Sequence, residues 1–180
     1  VIARDGRVAE AHWFTAPYPS MVHDFGVTRE HVVFAISPLV ADLELMRQGG
    51  PHFGWDGRRE VHVGIFPRAT GPRDIRWFRT PTCFSSHVMN AFTEGRKVHF
   101  DTPAGQMVVF PFFPMLDGSR FDQERATPYL ERWSFDLDAP GDGFTRTRLT
   151  DVPVEFPRVD DRYGFTKVRH GWMVARDTSA

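Results

Sequence analysis

The chain has 180 residues, 41% hydrophobic and 25% charged, enough for one ordinary core and too well mixed for disorder or a collagen-like repeat. A net charge of −1 gives no basic face for nucleic acid, and no apolar run reaches the roughly 18–20 residues that cross a bilayer. Cys83 is the single cysteine, so no internal disulfide forms, and residues 1–10 are too polar for a signal peptide; a reducing cytoplasm is the expectation.

In chain order, residues 8–14 alternate well enough for a strand, and Pro17-Tyr18-Pro19-Ser20 breaks it. Residues 22–27 and 31–36 predict a hairpin around Thr28-Arg29-Glu30. The one predicted helix covers residues 40–48, with Leu43, Leu45 and Met46 as its apolar content and Gly49-Gly50 as its stop. Further strands are predicted over 61–66, 74–78, 82–87 and 97–101, then over 106–113, whose dense apolar run reads as an inner strand. Residues 129–137, 144–149 and 167–174 complete the set, with a turn rather than a linker at 138–143. The 17 Phe residues cut up by 14 Pro and 15 Gly fit an all-β protein. About ten short strands suit a sandwich, a barrel or a propeller. A propeller blade takes four strands, so this chain holds only a few blades and cannot close a ring alone.

Eight histidines are present, and none lies in a tight zinc-type cluster. Ligands delivered singly by separate strands remain open. His23 starts a strand after the Pro-rich turn, and His87 ends an apolar run. Glu155 sits between apolar residues and two prolines, where a buried carboxylate needs a partner such as the N–H of a metal-bound histidine. Taken singly, each histidine is more often structural and Glu155 is more often a solvated glutamate or paired with Arg158. His12, His31, His52, His62, His99 and His170 carry no pattern beyond this. Cys83 reads as a small buried hydrophobe rather than a nucleophile. Phe110, Phe112 and Phe113 are core or the wall of an apolar tunnel, with Phe110 the best candidate for a substrate contact.

Together, however, these segments resemble the carotenoid cleavage oxygenase family, in order and over nearly the whole chain. Met21-Val22-His23-Asp24-Phe25-Gly26-Val27-Thr28 is similar to the segment around the family's second iron histidine. Phe84 to Phe92 with Glu94-Gly95 resembles that around its third, and Val154-Glu155-Phe156-Pro157-Arg158 its Glu-Phe-Pro-Arg signature. Met46 to His52, Val63 to Arg68 and Ile75 to Phe78 look closest to the bacterial lignostilbene-cleaving branch. The resemblance implies a seven-bladed β-propeller holding Fe(II) on four histidines, three of them backed by glutamates. It carries iron ligation to His23 and His87 and the supporting role to Glu155, bonded to His87. It also implies that residues 1–180 are part of one such domain, lacking its N- and C-terminal parts and the other iron histidines. Thr93 departs from the family pattern, which often has an acidic residue there, with little consequence expected for iron. The implied reaction is cleavage of a conjugated C=C bond by O2 into two carbonyl products. A stilbene-type phenylpropanoid is favoured as substrate over a carotenoid or apocarotenoid. An isomerase, a metal-free binding propeller of the same fold and an inactive fragment are the alternatives.

Overall fold

The computed structural model describes residues 1–175. It is built of short antiparallel strands with few helical turns. The first sheet joins β1 (Gly26–Val27), β2 (His31–Ile36), β5 (Val61–Pro67) and β6 (Arg76–Thr80) in the order β1-β2-β5-β6. Thr28 closes its first hairpin: the Thr28 hydroxyl accepts from the Glu30 and His31 amides at 3.0 and 2.8 Å. Between β2 and β5 lie the paired strands β3 (Leu39–Ala41) and β4 (Phe53–Trp55), flanking α1 (Leu43–Arg47). Asp42 caps α1 by accepting from the Glu44 and Leu45 amides, and Gly49 ends it at φ 80°.

The second sheet centres on β9 (Lys97–Gly105), which pairs with β10 (Tyr129–Asp136) along one edge. Its other edge is shared by β7 (Phe84–Ser85) and β8 (Asn90–Glu94), and β11 (Thr145–Arg148) extends the sheet beyond β10. A third pair, β12 (Val154–Arg158) with β13 (Trp172–Ala175), carries a register shift between Glu155 and Arg158. The two larger sheets are antiparallel meanders, the form of a propeller blade, and the chain is all-β: part of a β-propeller. Val33, Val63 and Phe78 from one blade pack on Phe100, Trp133 and Phe135 of the other. Phe78 and Phe135 meet edge-on with ring centroids 5.2 Å apart.

Several elements differ from the sequence reading. Residues 8–14 form no strand beyond the isolated bridge Ile2↔Val8, and Trp13 is 98% exposed; alternation needs a neighbouring edge to become a strand. Residues 106–113 are irregular although Met107 and Val108 are buried, because Pro111 and Pro114 withhold ladder donors; among the described residues only the Gln106 amide of this run reaches another segment, bonding the Arg125 carbonyl at 2.8 Å. The helix is shorter than 40–48 because Leu39 and Val40 are buried in β3. Of 82–87 only Phe84 and Ser85 are in a strand, and of 22–27 only Gly26 and Val27. Strand β8 was not predicted. Among the described residues no helix is long and apolar enough to cross a membrane.

Candidate metal centre

A histidine flanks a short strand in each of the two larger sheets. His23 precedes β1, and His87 follows β7; their ring centroids lie 5.1 Å apart. His87 Nδ1 is 2.8 Å from Glu155 Oε2, so the carboxylate accepts and the proton sits on Nδ1. In a neutral imidazole that leaves the lone pair on Nε2. The same Oε2 accepts from the Phe156 amide at 2.7 Å, and Phe156 takes a left-handed φ of 51°. Glu155 Oε1 is buried and has no hydrogen-bond partner among the described residues. The three residues that stood far apart in the chain are therefore one cluster, made by the segment before β1, the segment after β7 and strand β12.

His23 and His87 line a cavity of about 310 Å³ whose other walls include Met21, Phe84, Phe110, Phe112, Phe113 and Phe156. Phe110 lines this cavity and also packs on the core of Leu39, Trp55 and Phe84. A larger trough, about 1450 Å³, runs past Glu10 to Phe14, Phe34 and Phe66 but contains neither His23 nor His87. The smaller cavity is the better site because the adjacent His23 and His87 rings, 5.1 Å apart, line it beside an aromatic wall.

The remaining histidines stay apart from this pair. His99 bonds Ser134 at 2.8 Å and stacks on Phe92, and His62 meets the Tyr18 ring edge-on. Burial lowers the pKa of His31, His62 and His99. His12, His52 and His170 are exposed. Cys83 is buried, and burial pushes its thiol up to about 12. Thr93, the departure from the family pattern, donates to the Thr28 hydroxyl at 2.9 Å and so braces the β1–β2 turn. Sequence reading passed over Asp24 and Phe156, although each directly follows a singled-out residue.

The donor set fits an iron ion in kind. Two imidazoles suit divalent iron, one is oriented by a carboxylate, and the buried, unpartnered Oε1 adds negative charge to offset a cation. Among the described residues no group of three or more His, Cys, Asp or Glu could hold a metal, so further donors are required.

Comparison with known proteins agrees with this architecture. The family model described as retinal pigment epithelial membrane protein matches residues 1–180. Lignostilbene-alpha,beta-dioxygenase isozyme III of Sphingomonas paucimobilis is 46% identical over 168 residues, 91% of this chain and 34% of that protein. Isoeugenol monooxygenase of Pseudomonas putida is 35% identical, over 98% of this chain and 37% of that protein. The chain thus spans about a third of the length of these relatives. The crystal structure of Pseudomonas brassicacearum lignostilbene dioxygenase superposes with a TM-score of 0.92 at 42% identity, covering 98% of this chain and 37% of that one. A shared family model over every residue, a matching fold and this degree of identity lead to one conclusion: the chain belongs to the retinal pigment epithelial membrane protein family, that of the carotenoid cleavage oxygenases.

Proposed function

We propose that the protein containing this chain is a non-haem Fe(II) dioxygenase that cleaves a conjugated C=C bond with O2, one oxygen atom going to each of two carbonyl products. The observation that carries the reading is the His23–His87 pair at 5.1 Å, with His87 bonded to Glu155, beside an aromatic cavity. The names of the relatives, a lignostilbene dioxygenase and an isoeugenol monooxygenase, support an alkene conjugated to a phenolic ring. A stilbene-type phenylpropanoid is the favoured substrate and an apocarotenoid the alternative.

In this reading His23 and His87 are two of the iron ligands. When bound, Fe(II) supplies O2 binding and the redox chemistry of the cleavage. The chain's own residues do the rest. Glu155 keeps the proton on His87 Nδ1 and thereby fixes which nitrogen faces the metal. Phe110, with Phe84 and Phe113, holds a flat apolar substrate and keeps water from it. Residues 1–180 form part of one propeller domain, the other iron histidines lying elsewhere in the protein. The buried free thiol of Cys83 supports a reducing compartment, the cytoplasm.

The complete protein is expected to contain iron and to consume O2 in step with aldehyde formation from a hydroxystilbene. An oxygen electrode, product chromatography and metal analysis measure this. Isomerised alkene without O2 uptake would refute cleavage, and full iron loading after combined His23→Ala and His87→Ala would refute the ligand assignment.

A further inference from the structure

Asp24 directly follows His23, yet its carboxylate reaches the segment of His87. Oδ1 accepts from the Phe25 amide at 2.9 Å, and Oδ2 accepts from the Val88 amide at 2.7 Å. The Val88 N–H belongs to the same peptide unit as the His87 carbonyl, and that carbonyl accepts from the Thr102 hydroxyl at 2.7 Å. With the single Thr102 proton directed at His87, the Ser85 hydroxyl at 2.8 Å is the donor to Thr102. Thr102 is fully buried in β9, so this anchor is rigid. The His87–Val88 peptide is therefore held at both ends, its carbonyl by β9 and its amide by the segment of His23, while Glu155 holds the ring.

Charge-assisted bonds of this kind are the strong ones. The geometry also selects the residue type. Both Asp24 oxygens receive a backbone N–H, which needs acceptors on both arms. Asparagine has one acceptor and would point its own N–H groups at one of those amides.

We propose that Asp24 is a positioning residue: by bonding the His87–Val88 peptide from the segment of His23, its carboxylate sets the placement of the two imidazoles relative to each other. This rests on the reading of His23 and His87 as metal ligands. The test uses the full-length protein with Co(II) as a spectroscopic probe, and compares Asp24→Asn, Thr102→Val, Thr102→Ser and the combined His23→Ala, His87→Ala variant.

Asp24→Asn is expected to weaken Co(II) binding by about 10- to 100-fold and to shift the visible Co(II) bands. Thr102→Val acts in the same direction, and Thr102→Ser restores the parent spectrum. A purely structural role would lower the melting temperature and leave the bands of the folded variant in place. Folded Asp24→Asn protein with unchanged Co(II) affinity and spectrum overturns the inference. If Asp24→Asn does not fold, Thr102→Val decides: a shift reversed by Thr102→Ser supports it, and an unchanged spectrum overturns it. The double histidine variant separates the two levels. Retained Co(II) there overturns the ligand reading and this inference with it. Lost Co(II) there, beside unchanged Asp24→Asn and Thr102→Val proteins, overturns this inference alone.

Discussion

At the scale of single residues, Glu155 Oε2 takes two donors, the His87 ring and the Phe156 amide, and the backbone of Phe156 lies in the left-handed region. A side chain there costs about 1–2 kcal/mol that glycine does not incur. Phe156 nevertheless places its ring 5.2 Å from that of His87. Phe156→Gly and Phe156→Ala both remove the ring, but only the glycine relieves the backbone. Phe156→Gly is expected to be more stable than Phe156→Ala by about 1 kcal/mol in urea unfolding, and equal midpoints would refute the strain. Cys83 yields a second expectation. With its thiol pushed up to about 12 and its side chain buried, no thiolate is available near neutral pH. Ellman's reagent should react with Cys83 only upon unfolding, and rapid reaction in the folded protein would contradict this burial. Reading the sequence singled out His23, His87 and Glu155 as candidates through their motifs. Asp24 and Phe156 escaped because their roles are hydrogen bonds and a backbone angle, and neither leaves a pattern in residue type.

At the scale of elements, the two blades approach each other closely at Gly26 in β1. A Cβ there would lie 2.8 Å from the Phe100 ring and 3.0 Å from Ala91 Cβ. Phe100 and Ala91 are core residues of the second blade and have no room to retreat. Gly26→Ala is expected to cost about 1–3 kcal/mol through overpacking, read as a lowered thermal midpoint. Because β1 directly follows the His23 segment, metal affinity should fall as well. An unchanged midpoint would mean that the blades separate freely. Legibility followed the same division of local and distant causes. Strands β2, β5 and β10 were found nearly to the residue, since a buried face writes itself into the apolar pattern. Residues 8–14 and 106–113 have the pattern without the partner edge, and β8 has the partner edge, strand β9, with a weak pattern of its own.

At the scale of the whole molecule, three semi-buried histidines distributed over both blades link stability to pH. Burial holds His31, His62 and His99 below the ordinary value of 6.5, with the Arg132 charge lowering His99 further. The unfolded chain therefore takes up protons first as pH falls through 6.5. Stability is complete above that value and is lost as pH drops toward the folded pKa values. Asp160, held down to about 2 by the Arg162 guanidinium, titrates well below this window. The urea midpoint is expected to be lower at about pH 5.5 than at about pH 7.5, and an equal or higher midpoint would exclude the histidine linkage. The sequence by itself determined the all-β class, the principal strands and the family, because apolar periodicity and linear motifs survive without coordinates. Only the tertiary structure decided that His23 and His87 lie side by side and that Glu155 bonds to His87. It also decided that Asp24 joins the two histidine segments. Those contacts depend on how two blades and a third strand pair converge, and that convergence is set by long-range packing rather than by any local spacing.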